Sequence, residues 1–124
     1  MTNQILLYVG ATLTAIWGVA HLFPTKSVVD DFGDITADNR RIITMEWINE
    51  GVFLIFIGLL CAGLTFLDHT TIISNFVFIL SSVFLFILAI ISLFTGFRIN
   101  FLPFKLCPII FSLSAILILF GALL

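Results

Sequence analysis

The stretch Ile72–Phe97 decides the fold: it reads IISNFVFILSSVFLFILAIISLFTGF and contains no Asp, Glu, Lys or Arg. A membrane-spanning helix needs about 20 predominantly apolar residues, so this stretch is long enough to cross a bilayer. Its apolar residues are continuous rather than alternating with polar ones, which excludes a strand of a membrane β-barrel. The sequence therefore predicts an α-helical span here.

Three further segments have the same apolar character. Pro24 ends the first of them, and Pro108 is expected in the first turn of the last, where a missing N–H costs little. The connection Asp68–Thr71 is so short that the two spans beside it should be antiparallel neighbours. The prediction is an all-α, integral membrane four-helix bundle that occupies residues 1–124 as a single transmembrane domain. Besides the third span, its spans are Ile5–Phe23, Ile42–Leu67 and Leu106–Leu124.

The composition excludes several classes of protein. Of the 124 residues, 61% are hydrophobic and 10% are charged, whereas a soluble domain has roughly half and a quarter. Disorder, a nucleic-acid binder and an ordinary cytosolic enzyme are therefore excluded. The net charge of −2 provides no field that would attract polyanions. The lipid bilayer is the expected surrounding, with no nucleic-acid partner.

The basic residues predict the orientation. Lys26, Arg40 and Arg41 lie between the first two spans, and Arg98 and Lys105 lie between the last two. The N-terminus, the second connection and the C-terminus contain no Lys or Arg. The positive-inside rule then places both termini outside the cytoplasm. Because these charges follow the first apolar run, a retained span is favoured over a cleaved signal peptide.

Polar residues at the ends of the first two spans form the candidate site. Glu46 and Glu50 are four residues apart, so both carboxylates lie on one helix face and repel each other. A proton, a basic side chain or a bound cation must offset that repulsion. Trp17 and His21 have the same spacing on the first span. We therefore predict a ligand-binding or proton-exchanging cluster near the cytoplasmic face, made of His21, Glu46, Glu50, Trp17, Trp47 and Arg98.

A second interpretation of the same residues stays open. The run Gly51–Leu67 is at the lower limit for spanning a bilayer by itself. Both carboxylates would then be solvated at the level of the lipid head groups. Trp17 and Trp47 would be ordinary interfacial anchors.

No motif identifies a metal, a cofactor or a catalytic residue. His21 and His69 are expected at opposite membrane faces, so they cannot both ligate one haem iron. His21 and the two Glu side chains lack the HExxH spacing of a zinc enzyme. Cys61 and Cys107 are too far apart for a disulfide and are expected to pack as small apolar residues.

Small side chains indicate how the spans pack. Ala11, Ala15 and Gly18 form a stripe that should face another helix, because small residues let two helices approach closely. Hydroxyl residues of the third span, Ser92 and Thr95 among them, are expected to pack or to bond to their own backbone.

The segment Gly18-Val-Ala-His21-Leu, followed by a charged start to the second span, resembles DoxX-like proteins. These are small bacterial four-helix membrane proteins, and the similarity covers nearly the whole chain. The family often has a Lys at the position of His21. The resemblance implies a location in the bacterial inner membrane. It also implies a link, known for some members, to quinone-dependent oxidation or membrane redox complexes.

Two hypotheses for the function follow. In the first, an inward-facing pocket with His21, Glu46 and Glu50 binds a small or amphipathic ligand, such as a quinone or a lipid, between the two Trp side chains. Glu50, the deeper carboxylate, would exchange protons. In the alternative, the protein is a non-catalytic small subunit or interaction protein that associates with a partner membrane protein or with itself. The first hypothesis requires that His21 and the two Glu side chains converge on a cavity, whereas the second does not.

Overall fold

The computed structural model describes all 124 residues and contains five helices and no strand. Four of them are long and apolar enough to cross a membrane. The prediction of an all-α, integral membrane bundle is confirmed. The helices are α1 (Thr2–Leu22), α2 (Thr25–Asp30), α3 (Ala37–Asp68), α4 (Ile72–Thr95) and α5 (Leu102–Leu123).

The four long helices pack in the order α3, α1, α5, α4. Helix α1 packs against both α3 and α5, and α5 packs against α4. Although a turn of residues 69–71 joins α3 to α4, these two helices make few contacts with each other. They are antiparallel as expected but not close neighbours. The gap between them is where the candidate site opens.

The molecule has two distinct ends. At one end, here called the terminal end, the Nε2 atom of Gln4 lies 3.3 Å from the Nδ1 atom of His69. At the same end, Gly121 lies beside the carbonyl oxygen of Asn3. Both termini and the 69–71 turn are therefore close together. The opposite, charged end holds connections 23–36 and 96–101 and the start of α3. All five Lys and Arg and six of the seven Asp and Glu are on that side, Asp68 being the exception.

Small residues bring α1 and α3 into close contact. A Cβ atom placed on Gly58 would lie 2.6 Å from the carbonyl oxygen of Ala11 and 2.6 Å from the Cβ of Ala15. One placed on Gly18 would lie 2.7 Å from the carbonyl oxygen of Gly51. The prediction that the small-residue stripe of α1 faces another helix is confirmed. Such close backbone approach is a main source of attraction between helices in lipid.

Three helices begin before the predicted limits of their spans, and α1 does so by starting at Thr2 instead of Ile5. Helix α3 begins before Ile42, because the side chain of Thr36 accepts a hydrogen bond from the Asn39 amide (3.1 Å) and caps the helix there. Helix α5 begins at Leu102, so Pro103 occupies its first turn and Pro108 lies in its interior. The first-turn prediction for Pro108 was wrong, because hydropathy marks where a helix becomes apolar and not where it begins.

Helix α2 lies against the early part of α3. It buries Val28 and Val29, and Arg40 donates a hydrogen bond of 2.7 Å to the Asp30 carboxylate. The chain then turns at Gly33, whose φ of 74° suits glycine best. This arrangement supplies an apolar wall at the charged end.

Candidate functional site

His21 and Glu50 meet at the charged end. His21 is in the last turn of α1, and its Nε2 atom lies 3.4 Å from Oε2 of Glu50. The His21 side chain is 5% exposed and that of Glu50 is 39% exposed. The Nε2 atom nevertheless has no hydrogen-bond partner. Two polar atoms therefore face each other at close range without a hydrogen bond between them.

Trp47 fixes His21 in place. Its indole N–H donates a hydrogen bond of 2.7 Å to the carbonyl oxygen of His21. This satisfies one of the carbonyl groups that a helix leaves free at its C-terminus. The Trp47 ring also stacks on the imidazole, with centroids 3.9 Å apart and planes 16° apart. Phe104 packs edge-on against Trp47 at 5.4 Å.

A cavity of about 320 Å³ adjoins this pair. Residues of α1, α3, α4 and α5 line it, together with the 96–101 connection. Its polar side chains are His21, Glu50, Ser92, Thr95 and Cys107, and the rest of its lining is mainly apolar. The cavity therefore combines an apolar wall with a few polar groups, as ligand sites usually do.

A wider groove of about 610 Å³ continues from the cavity and shares Glu50 and Phe104 with it. Most of its lining residues belong to the first part of α3, and Leu88 of α4, Ile99 and Phe104 line the other side, so the groove lies at the charged end of the gap between α3 and α4. Trp47 and Glu46 also line it, and most of the other lining side chains are apolar. No Lys or Arg side chain lines either space.

A smaller cavity of about 90 Å³ lies on the other side of His21. Trp17, Trp47 and Cys107 are among the residues that line it. The indole N–H of Trp17 is buried and makes no hydrogen bond of normal geometry, and the thiol of Cys107, a weak acceptor, is the polar group beside it.

The structure brings together four of the six predicted site residues: His21, Glu50, Trp17 and Trp47. Glu46 is exposed and lies at the groove. Arg98 is exposed in the connection after α4, lines none of the three spaces and makes no ion pair. Arg98 therefore does not neutralise the Glu pair.

Several lining residues were not among the predicted site residues. Ser92 and Thr95 were expected to pack or to bond to their own backbone; Thr95 does donate a hydrogen bond of 2.6 Å to the carbonyl of Ile91, and both residues also line the cavity. Ser92 and Thr95 are spaced so that they share one face of α4 with Leu88. This helical spacing is the sequence feature from which their common position could have been predicted. Phe104 lies before the predicted fourth span, so hydropathy gave no indication of its role.

The length of α1 indicates the depth of the site. Its 21 residues give a helix about 31 Å long, which matches a hydrocarbon core about 30 Å thick. A bilayer spanned by α1 therefore has His21 and Glu50 near its boundary at the charged end. The earlier part of α3, which includes Glu46, extends beyond that boundary.

No group of three or more His, Cys, Asp or Glu side chains is arranged to hold a metal ion. Comparison with known proteins finds no matching family model and no similar curated protein or solved structure. The resemblance to DoxX-like proteins stays a prediction. The geometry of the site is therefore the basis for a functional proposal.

Proposed function

We propose that this protein binds an amphipathic membrane ligand, such as a quinone or a lipid, at the charged end of the bundle. The polar head group of the ligand would lie at His21 and Glu50, and its apolar body against the apolar side chains of the groove on the membrane side of Glu50, such as Phe53 and Leu88. One observation carries the proposal. A buried histidine nitrogen without a hydrogen-bond partner lies at the edge of a largely apolar cavity that continues into this groove.

The energetic reason is the cost of an unpaired buried polar group. Leaving such a group unsatisfied costs about 1–3 kcal/mol. A ligand that forms a hydrogen bond with His21 would recover this free energy on binding. The cavity volume of about 320 Å³ also lies within the usual range for ligand sites, roughly 300–1,000 Å³.

The same pair suits proton exchange with a bound head group. Imidazole and carboxylate groups both accept and release protons, and general acid–base chemistry requires them within hydrogen-bond reach of the reacting atom. His21 and Glu50 lie side by side, 3.4 Å apart, at the cavity. Glu46 would assist by drawing a polar head group to the groove.

The proposed location is the bacterial inner membrane with the charged end in the cytoplasm. All five Lys and Arg are in the connections and helix ends on that side, which is the bias that the positive-inside rule describes. Both termini would then lie outside the cytoplasm. The ligand would enter the site from the inner leaflet.

A second candidate function is that of a small subunit in a larger membrane complex or a homo-oligomer. An outward-facing apolar groove of about 460 Å³ between α4 and α5 favours it. Phe86, Leu93 and Ile109 are among its lining residues. A helix of a partner or of a second copy would fit there.

The test of ligand binding uses decylubiquinone and the two native tryptophans. Both lie at the site, so a quinone bound there should quench their emission in a saturable manner. The protein is titrated in lipid nanodiscs, since random collisions in the bilayer give quenching that rises without saturation.

A pair of adjacent substitutions serves as variant and control. Ser92→Phe should fill the cavity and remove the saturable quenching, because Ser92 lines it. Leu93→Phe adds an aromatic ring at the next position, which is exposed on the outer surface, and should leave the quenching unchanged. Saturable quenching that is equal in both variants would mean that the quinone binds elsewhere.

A further inference from the structure

The charge of the site indicates the head group of the ligand. Two carboxylates, Glu46 and Glu50, line the groove, and no Lys or Arg lines the groove or the cavity. The ion pairs nearby involve other carboxylates: Arg40 binds Asp30 and Arg41 binds Asp38. An anionic head group would therefore meet two carboxylates with no cation to offset their repulsion.

The side chains that line the cavity and the groove are neutral or acidic, and the basic side chains of the same elements, such as Lys105 of α5 and Arg98 of the connection, line neither space. Helix α1 contributes His21, α4 contributes Ser92 and Thr95, and α5 contributes Cys107 and Phe104. Helix α2 and the residues that follow it add apolar side chains. The acidic side chains of α3 therefore determine the sign of the charge at the site.

Glu50, whose side chain is 39% exposed, offers its carboxylate to a hydrogen-bond donor from a third group beside the buried His21. Their facing atoms are 3.4 Å apart and are not hydrogen-bonded to each other, and the imidazole nitrogen is without any partner. A carboxylate accepts hydrogen bonds only, and one nitrogen of a neutral imidazole is also an acceptor. A primary ammonium group carries three N–H donors, so it can donate to the Glu50 carboxylate and also to His21 in the tautomer whose Nε2 carries no proton.

The aromatic walls favour the same head group. The ring of Phe104 lines both the cavity and the groove, and Trp47, one face of which stacks on His21, lines the groove beside Glu50. Aromatic faces attract cations through their quadrupole, and Trp attracts them most strongly. The mainly apolar lining of the groove then accommodates an alkyl body.

We infer that the ligand is a cationic amphiphile whose protonated amine is held by Glu50 and His21 and whose apolar chain lies in the groove between α3 and α4. This inference rests on the proposed function, since it names the chemical class bound at the same site. The chemistry that identifies the ligand is an ammonium group with N–H donors on an apolar chain.

The test compares three amphiphiles with the same ten-carbon chain: decylamine, 1-decanol and decanoate. Each is titrated into the protein in nanodiscs of zwitterionic lipid. Tryptophan emission reports binding, and empty nanodiscs give the correction for partitioning. Decylamine should saturate the site at a concentration about tenfold lower than 1-decanol, because a hydrogen bond to a charged group contributes more than one between neutral groups. Decanoate should bind most weakly.

Two variants test which carboxylate causes the preference for the amine over the alcohol. Glu50→Gln should abolish the preference for the amine over the alcohol, because it removes the charge nearest His21. Asp34→Asn removes an equal charge from an exposed position at the same end of the molecule that lines neither the cavity nor the groove, and should retain the preference. The wild-type comparison needs no variant, so it tests the inference even if Glu50→Gln does not fold.

The outcomes separate the two proposals. Saturable binding of 1-decanol or decanoate that is as tight as that of decylamine would overturn the cationic head group and leave the binding site standing. A preference for the amine that survives Glu50→Gln would also overturn it. If none of the three amphiphiles saturates and decylubiquinone also fails, the proposed function itself is wrong.

Discussion

Replacing Gly58 by Ala should destabilise the bundle, whereas replacing Gly63 by Ala on the same helix should not. A Cβ atom on Gly58 would meet the carbonyl oxygen of Ala11 at 2.6 Å and the backbone nitrogen of Ala15 at 2.7 Å. These are backbone atoms of α1, which cannot rotate away as a flexible side chain can. A Cβ atom on Gly63 would meet nothing within 4 Å. The same methyl group is therefore added to one tight and one open position.

The expected magnitude follows from the difference between the two variants. Ala is favoured over Gly in a helix interior by about 0.5–1 kcal/mol, and this gain applies to both positions and cancels. Forcing an extra carbon into a well-packed interface costs about 1–3 kcal/mol. The free energy of unfolding should therefore be lower for Gly58→Ala than for Gly63→Ala by about 1–3 kcal/mol.

Unfolding by sodium dodecyl sulfate in mixed micelles measures this difference. Circular dichroism follows the helix content. Tryptophan emission follows the separation of α1 from α3, because Trp47 of α3 donates a hydrogen bond to His21 of α1. Equal midpoints for the two variants, or a larger loss for Gly63→Ala, would refute the close packing of α1 on α3.

Two further predictions concern the tryptophans and the orientation. Trp47→Phe should reduce the free energy of unfolding by about 1 kcal/mol more than Trp17→Phe, because Trp47 donates a hydrogen bond of 2.7 Å to the carbonyl of His21 whereas Trp17 has only the weakly accepting Cys107 thiol beside it. Equal losses in a denaturation series would contradict this. A Cys at His69 should react in intact cells with a membrane-impermeant thiol reagent, and a Cys at Asp31 should not, since the native cysteines are buried; the reverse pattern would invert the proposed orientation.

Part of the site could be predicted from the sequence. Placing His21 and Glu50 at the same end of two spans required only the span limits, and the structure brings them to 3.4 Å. The separate positions of Glu46 and Arg98 could not be predicted. Both depend on where the neighbouring helix ends: α1 stops level with Glu50, so Glu46 has no span beside it and is exposed. Arg98 follows the last turn of α4 and is free to point outward.

The helix boundaries, too, could be predicted only in part from the sequence. Apolar runs located each span, but Thr36 and Pro103 determined where α3 and α5 begin. Capping and proline geometry act on one turn and do not change the hydropathy of a segment. Phe104 joins the cavity lining because α5 begins at Leu102, ahead of the predicted span.

The sequence by itself determined that the chain is an integral membrane protein with four spans and that its charges collect at one end. Both are local properties: the length of an apolar run and the position of a charge need no knowledge of neighbours. Only the tertiary structure decided the order α3, α1, α5, α4 and the gap between α3 and α4. The physical reason is that lipid is as apolar as a helix surface, so hydropathy does not tell which face of a span packs. Close approach at Gly58 and Gly18 selects the partner of α1, and that choice creates the cavity beside His21.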